Sequence, residues 1–323
     1  MNIVSKKSIS TFASLAALAV GTAGTAQAGV LASSILEVTD FLIEVQTPGG
    51  TFRPVTINDI SISTGFNTTD VVVQLDSANN GEPIAATEQQ TFDQGVGLNR
   101  CIGTNCPAPN FSPPLAPPVA GDYANANTLL EGAAVIIPGT GEPGADASVR
   151  TDVGLDPLAN GNNSGSSQAN LGLISTISFI ALNDIELRFS GLYSYNLRAL
   201  VTDDLAPTGN SAQAATAWDL EVSGTGDDPL NFSYTPAALL GLNVGTTVPG
   251  DNRDESGTGS LNSQDELGLL PLVQGRQYNL TIRHQNSADA TSNPISVPEP
   301  TSIALLGGGL LSLAAWRRRT KKI

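Results

Sequence analysis

Residues 29–296 contain no lysine, and the 323-residue chain has one histidine, one methionine and two cysteines. Charged residues make up 14% of it and aromatic residues 5%. Each scarcity removes a class of chemistry. Without a lysine amine, this central stretch cannot form a Schiff base with a carbonyl substrate. With so few thiol and imidazole groups, a zinc centre lacks ligands. Long helices are disfavoured as well, because 33 glycines and 20 prolines add backbone entropy and remove amide donors. That argues against a helical bundle, a coiled coil or a polytopic membrane protein. Full disorder is opposed by the 40% of hydrophobic residues, which gather in alternating runs.

Charge is unevenly placed. Residues 1–28 carry +2 from Lys6 and Lys7, residues 297–323 carry +4, and the body between carries −21 from eight arginines and 29 acidic residues. A body so negative repels phosphate backbones, which excludes nucleic acid as a partner.

The two ends read as addresses. Lys6 and Lys7 precede the apolar stretch Thr11 to Val20, and small residues follow up to Ala26-Gln27-Ala28. This order predicts a secretory signal peptide over residues 1–28, cut after Ala28, with the Sec translocon and signal peptidase as transient partners. A buried N-terminal helix is the plainer alternative, but the stretch has no polar face.

At the other end, Val297-Pro298-Glu299-Pro300 leads into Thr301 to Trp316, then Arg317-Arg318-Arg319-Thr320-Lys321-Lys322. Sixteen uncharged residues would span about 24 Å as a helix, slightly short of a bilayer's hydrocarbon core of roughly 30 Å. Trp316 suits the interface, and the cations beyond it suit the cytoplasmic side. Residues 301–316 are therefore expected to form a single transmembrane helix. A buried C-terminal helix could not readily bury three consecutive arginines.

The order Pro298-Glu299-Pro300, glycine-containing apolar segment and arginine cluster resembles the PEP-CTERM sorting signal of Gram-negative bacteria. The resemblance matches throughout residues 297–319, makes residues 297–323 the sorting-signal segment, and implies recognition by an exosortase, a membrane-bound transpeptidase-like enzyme that acts near the Pro-Glu-Pro. It makes Pro298, Glu299 and Pro300 a sorting motif, with Arg317, Arg318 and Arg319 as its basic tail. It further implies an inner-membrane-anchored precursor that ends at the cell surface or outside the cell. Gly121-Asp122-Tyr123-Ala124-Asn125-Ala126 and Tyr278 to His284 also resemble an exosortase-dependent surface-protein family, one with no established chemistry to transfer.

The body, residues 29–296, reads as β structure. From Ile185 to Val201 the apolar residues Ile185, Leu187, Phe189, Tyr193, Tyr195, Leu197 and Val201 alternate with polar ones, with a break expected near Gly191. The same period of two marks Trp218-Leu220-Val222 and Tyr278-Leu280-Ile282. Further strands are expected at Ile35–Gln46, Val55–Thr64, Asp70–Asp76, Leu129–Ile137 and Leu173–Ala181, nine or ten in all. Half-buried antiparallel sheets paired face to face satisfy this pattern, so a mainly β, sandwich or jelly-roll-like body is expected. Asn99–Ala120, Pro138–Asn170 and Val248–Gln264 read as long polar inserts.

Candidate chemistry within the body is sparse. Cys101 and Cys106, in an oxidising compartment once exported, suit a disulfide across a small loop. A free pair, a redox dithiol and a metal site are the alternatives, and dithiol motifs normally have two intervening residues, not four. His284 reads as a residue at the end of a strand. A triad would also need an activated serine, and no Gly-x-Ser-x-Gly elbow occurs. Acidic residues cluster at Asp203-Asp204, Asp227-Asp228 and Asp251 to Glu255. They could serve a glycosidase or hold calcium, yet no Asp-x-Asp-x-Asp-Gly loop is present, and solvated loop acid is the plainer reading. Tyr193, Tyr195 and Trp218 read as core rather than as a sugar-stacking row. No cofactor is expected beyond a possible calcium ion. These features suggest a non-enzymatic exported surface or matrix protein, associated with biofilm or extracellular polysaccharide. A carbohydrate-binding module and a secreted hydrolase are the alternatives.

Overall fold

The structure is a computed structural model that describes residues 29–293, apart from 78–83, 92–95, 104–105, 113, 115–120, 134–143, 157–164, 204, 206–207 and 226–229. The expected signal helix (with Ala26 and Ala28) and the membrane helix (with Pro298, Glu299, Pro300 and Arg317 to Arg319) lie outside the described residues. Among the described residues no helix is long and apolar enough to cross a membrane.

Fifteen strands are described: β1 (Val30–Gln46), β2 (Phe52–Pro54), β3 (Ile60–Ser77), β4 (Ile84–Thr91), β5 (Val96–Gly103), β6 (Tyr123–Ala133), β7 (Gly144–Leu155), β8 (Gly165–Ala181), β9 (Ile185–Val201), β10 (Ser211–Gly224), β11 (Asn231–Tyr234), β12 (Leu242–Thr246), β13 (Asn252–Asn262), β14 (Leu270–Leu272) and β15 (Gln277–Ser292). A short α-helix, α1, spans Ser263–Leu267, and a single 3-10 turn spans Ala237–Leu239. The first sheet has the order β13-β9-β1-β7-β6-β5, with β14 on β9 and β2 on β1; the second has the order β11-β10-β15-β8-β3-β4, with β12 on β10. Every pairing is antiparallel. Two facing antiparallel sheets are what the strand order establishes, and jelly-roll winding is a finer statement that it does not carry.

The core lies between the sheets and follows the alternation read from the sequence. Leu187, Phe189, Leu197 and Val201 of β9 face Trp218, Leu220 and Val222 of β10, and all are essentially inaccessible to solvent. Trp218 is the hub. Its ring packs edge-on against Phe41 at 6.1 Å and Tyr234 at 6.0 Å between centroids, the geometry that ring quadrupoles favour.

The expected break in β9 falls instead on its neighbour. β9 runs unbroken through Gly191, whereas the register of β1 shifts between Thr39 and Leu42. Leu36 and Val38 have even numbers, while Phe41, Ile43 and Val45 have odd ones, and all five are buried. An extra residue in β1 reconciles the two parities, because a one-residue slip turns every later side chain over. Asp40 takes the bulge position with φ of 52°, and its amide donates to Asp146 Oδ1 at 2.8 Å. Gly191 is the accommodation. A Cβ there would meet Phe41 Cα at 3.2 Å.

Several boundaries differ from expectation. The second half of Val55–Thr64 and all of Asp70–Asp76 belong to one strand, β3, and the strand expected at Leu129–Ile137 begins earlier, at Tyr123. The polar insert Pro138–Asn170 contains β7 and the start of β8. Val248–Gln264 is mostly β13, not a loop. Its pairing explains why glycine did not break it: Gly257 and Gly259 stand opposite Tyr195 and Tyr193, and a Cβ at either position would come within 2.7 or 2.4 Å of the tyrosine ring. The glycines make room for aromatic rings crossing from β9.

Candidate functional site

The most elaborate polar arrangement sits on the outer face of the first sheet. Ser34 points inward, since its hydroxyl donates to Ala215 O of β10, so Ser33 points outward. Cross-strand register then aligns Arg198, Ser33, Asp152, Asn125 and Cys101 in one outward row over five strands. The adjacent row holds Arg150 and Asn127. Ordinarily an outer face is wet. Here the proline-rich segment after β5 lies over it: Arg150 Nη1 donates to Asn110 O at 2.6 Å and to Asn110 Oδ1 at 2.7 Å, and Arg198 Nη1 donates to Pro114 O at 3.1 Å.

That cover buries an ion pair. The Arg150 and Asp152 side chains are 2% and 0% exposed, and Arg150 Nε donates to Asp152 Oδ2. Asp152 also accepts from Ser33 Oγ at 2.6 Å and from Asn125 Nδ2 at 3.1 Å. Burial pushes the Asp152 carboxyl above the usual carboxylate range, against the pull of Arg150 and these hydrogen bonds. A disulfide joins Cys101 of β5 to Cys106, with Cα atoms 6.0 Å apart, and so ties the covering segment to the sheet at its root. The arrangement can fasten and orient, with both charged side chains sealed from solvent. Both amide atoms of Asn127 and Oδ1 of Asn125 are buried without a partner, which suits an enclosed water. Sequence reasoning missed Arg150 and Asp152, and it named Asn125 only as part of a family resemblance. The signal available was a polar residue at every second position on both Tyr123-Ala-Asn-Ala-Asn and Arg150-Thr-Asp, the pattern of a strand with one polar face.

The other candidates separate. His284 does not end a strand; it sits within β15, between β10 and β8, at 4% exposure. Its Nε2 accepts from Trp218 Nε1 at 3.1 Å, its Nδ1 has no partner, and burial pushes its pKa down to about 3. Among the described residues, neither ring nitrogen is bonded to an acid or a hydroxyl. Asp251 accepts from Thr246 Oγ1 at 2.7 Å and Arg253 Nε at 2.8 Å, and Asp254 pairs with Arg198 at 3.1 Å. Hydrogen bonding by Arg253 holds the Asp251 carboxyl below its ordinary range. Asp203 is exposed, while Asp204 and Asp227-Asp228 lie outside the described residues. Among the described residues no group of three or more His, Cys, Asp or Glu side chains could hold a metal ion. Tyr193 and Tyr195 pack against the core as expected but are only half-buried, with rings stacked at 6.5 Å beside β13. A shallow cavity of about 260 Å³ is lined by Ala212, Thr246, Val248, Asp251 and Arg253 among others.

Comparison with known proteins places one segment. Residues 296–319 match the PEP-CTERM protein-sorting motif. No curated protein and no solved structure matches the chain.

Proposed function

We propose that this is a non-enzymatic structural or interaction protein of the cell surface or extracellular matrix, delivered there by its C-terminal signal. The chain carries a PEP-CTERM motif at residues 296–319, which implies an exported surface protein targeted to an exosortase. That motif is the observation on which the reading rests. Support comes from the body: its one histidine is enclosed against Trp218, and its buried carboxylate Asp152 is occupied by Arg150, Ser33 and Asn125. Both are engaged in holding the fold. The body's charge of −21 would keep copies apart until a divalent cation or a polymer bridged them.

Two measurements test this. Replacing Pro298 and Glu299 with alanine should leave the chain in the membrane fraction and remove it from the cell surface; unchanged surface display would overturn the reading. Light scattering of the purified body should rise at millimolar calcium, and no rise would count against cation bridging. The half-buried Tyr193–Tyr195 pair, with Glu255 beside the Tyr195 hydroxyl, favours a second reading, a carbohydrate-binding module. Glycan-array binding lost on Tyr195→Ala would support it.

A further inference from the structure

Both ends of the described chain leave the sandwich at one place. β1 starts at Val30, opposite Val201 and Leu155. Just before it, Gly29 N donates to Thr202 Oγ1 at 2.7 Å, and Thr202 N donates back to Gly29 O at 3.0 Å. β15 stops at Ser292, opposite Gly165. Beyond it, Asn293 N donates to Asn210 Oδ1 at 2.7 Å and Asn293 Nδ2 donates to Thr208 O at 3.1 Å. Thr202, Thr208 and Asn210 all belong to the connection from β9 to β10. A single connection therefore grips the chain immediately after the expected signal cleavage and shortly before the sorting motif.

We propose that this end of the sandwich faces the lipid bilayer in the unprocessed chain, so that both apolar segments can be inserted while the body stays folded. The inference rests on reading residues 11–20 and 301–316 as membrane segments. Reach decides the orientation. Residues 294–300 can span at most about 25 Å, and residues 21–28 at most about 28 Å. The 17 residues of β9 hold the two ends of the sandwich roughly 55 Å apart. With the opposite end down, where Leu182–Asp184 and Val273–Arg276 turn, neither tether would reach the hydrocarbon.

The sheets add a second constraint. β1 lies between β9 and β7, and β15 lies between β10 and β8. Each exit is thus an interior strand, hydrogen-bonded on both sides, and drawing either one out by a residue would break two ladders at once. The fold yields no slack, so any enzyme that cuts the chain must work within the short tethers, close against this end. The nearby surface suits such a position: Val248 is 57% exposed there, and Asp251 is satisfied by Thr246 and Arg253.

The test uses the full unprocessed chain in phosphatidylcholine vesicles that carry a headgroup quencher. A maleimide fluorophore is placed at Thr208→Cys or, at the opposite end, at Leu182→Cys; both positions are exposed, and Cys101 and Cys106 are joined to each other. The Thr208 label should be quenched severalfold more than the Leu182 label. A chain that floats with the vesicles while both labels are quenched alike lies flat and sinks the end-on orientation alone. A chain that stays out of the vesicle fraction sinks the membrane reading of residues 301–316 as well.

Discussion

The outer faces of the two sheets carry the same chemistry in opposite settings. On the second sheet Arg283 reaches Asp219 at 2.7 Å and Glu221 at 3.0 Å, with all three side chains about a third exposed. On the first, Arg150 and Asp152 are sealed beneath the proline-rich segment. Water and salt screen the Arg283 group, and such pairs contribute little. The Arg150–Asp152 pair has lost its water, so each charge depends on the other and on Ser33, Asn125 and Asn110. Both are arginine–carboxylate contacts, and burial is what sets their energetics apart.

Removing one partner should break this contrast most visibly. Arg150→Met leaves Asp152 a buried carboxylate without a counterion, and about 3–5 kcal/mol of stability should be lost in denaturant titration. The double variant Arg150→Met/Asp152→Leu should recover much of that loss; no recovery would mean that the covering segment, not the charge, is at stake.

Acid probes a different kind of burial, a titratable group kept neutral. His284 titrates near 6.5 when unfolded and at about 3 in the fold. Between those values the unfolded chain binds the additional proton, so stability rises with pH and drains as pH falls below 6.5. From pH 6.5 to 4 the loss should be roughly 3 kcal/mol. His284→Gln, which keeps an acceptor for Trp218, should flatten that limb. Asp152 acts in the opposite sense, because its raised pKa makes the fold the better proton acceptor above the ordinary carboxylate value. Comparing the variant with its parent isolates the histidine.

The disulfide ranks next. Cys101→Ser with Cys106→Ser removes a cross-link between residues five apart, and about 2 kcal/mol should be lost. Proteolysis near Asn110 should also accelerate in the variant, because that segment then holds on by hydrogen bonds alone. The smallest effect belongs to the exposed group. Arg283→Met should shift stability by less than about 1 kcal/mol, and less still at high salt. A loss equal to that of Arg150→Met would erase the distinction drawn from burial.

Strands with one dry face were readable from the chain. Trp218-Leu220-Val222 and Leu187 to Val201 alternate because one side meets the core and the other meets water. β13 was not readable, since its sequence is polar and rich in glycine. It is a strand because Gly257 and Gly259 accept the rings of Tyr195 and Tyr193 from some sixty residues earlier. The bulge at Asp40 was equally hidden. Only pairing with both β9 and β7 reveals that Phe41 must face the same side as Val38. Of the candidate chemistry, Cys101 and Cys106 lie joined as a disulfide, whereas His284 was misplaced and Arg150 was overlooked.

What the amino-acid sequence determined unaided is local: the segregation of charge, the apolar segments near each end with their flanking cations, the sorting motif, and the period of two. Such features depend on residues a few positions apart, so no neighbour across the fold can alter them. Tertiary structure decided which polar groups lose their water, why the lone histidine stays neutral, and that Gly29 and Asn293 emerge at the same end of the sandwich. Those outcomes depend on which strands and segments come to lie against one another, and such contacts join residues forty to two hundred and fifty positions apart.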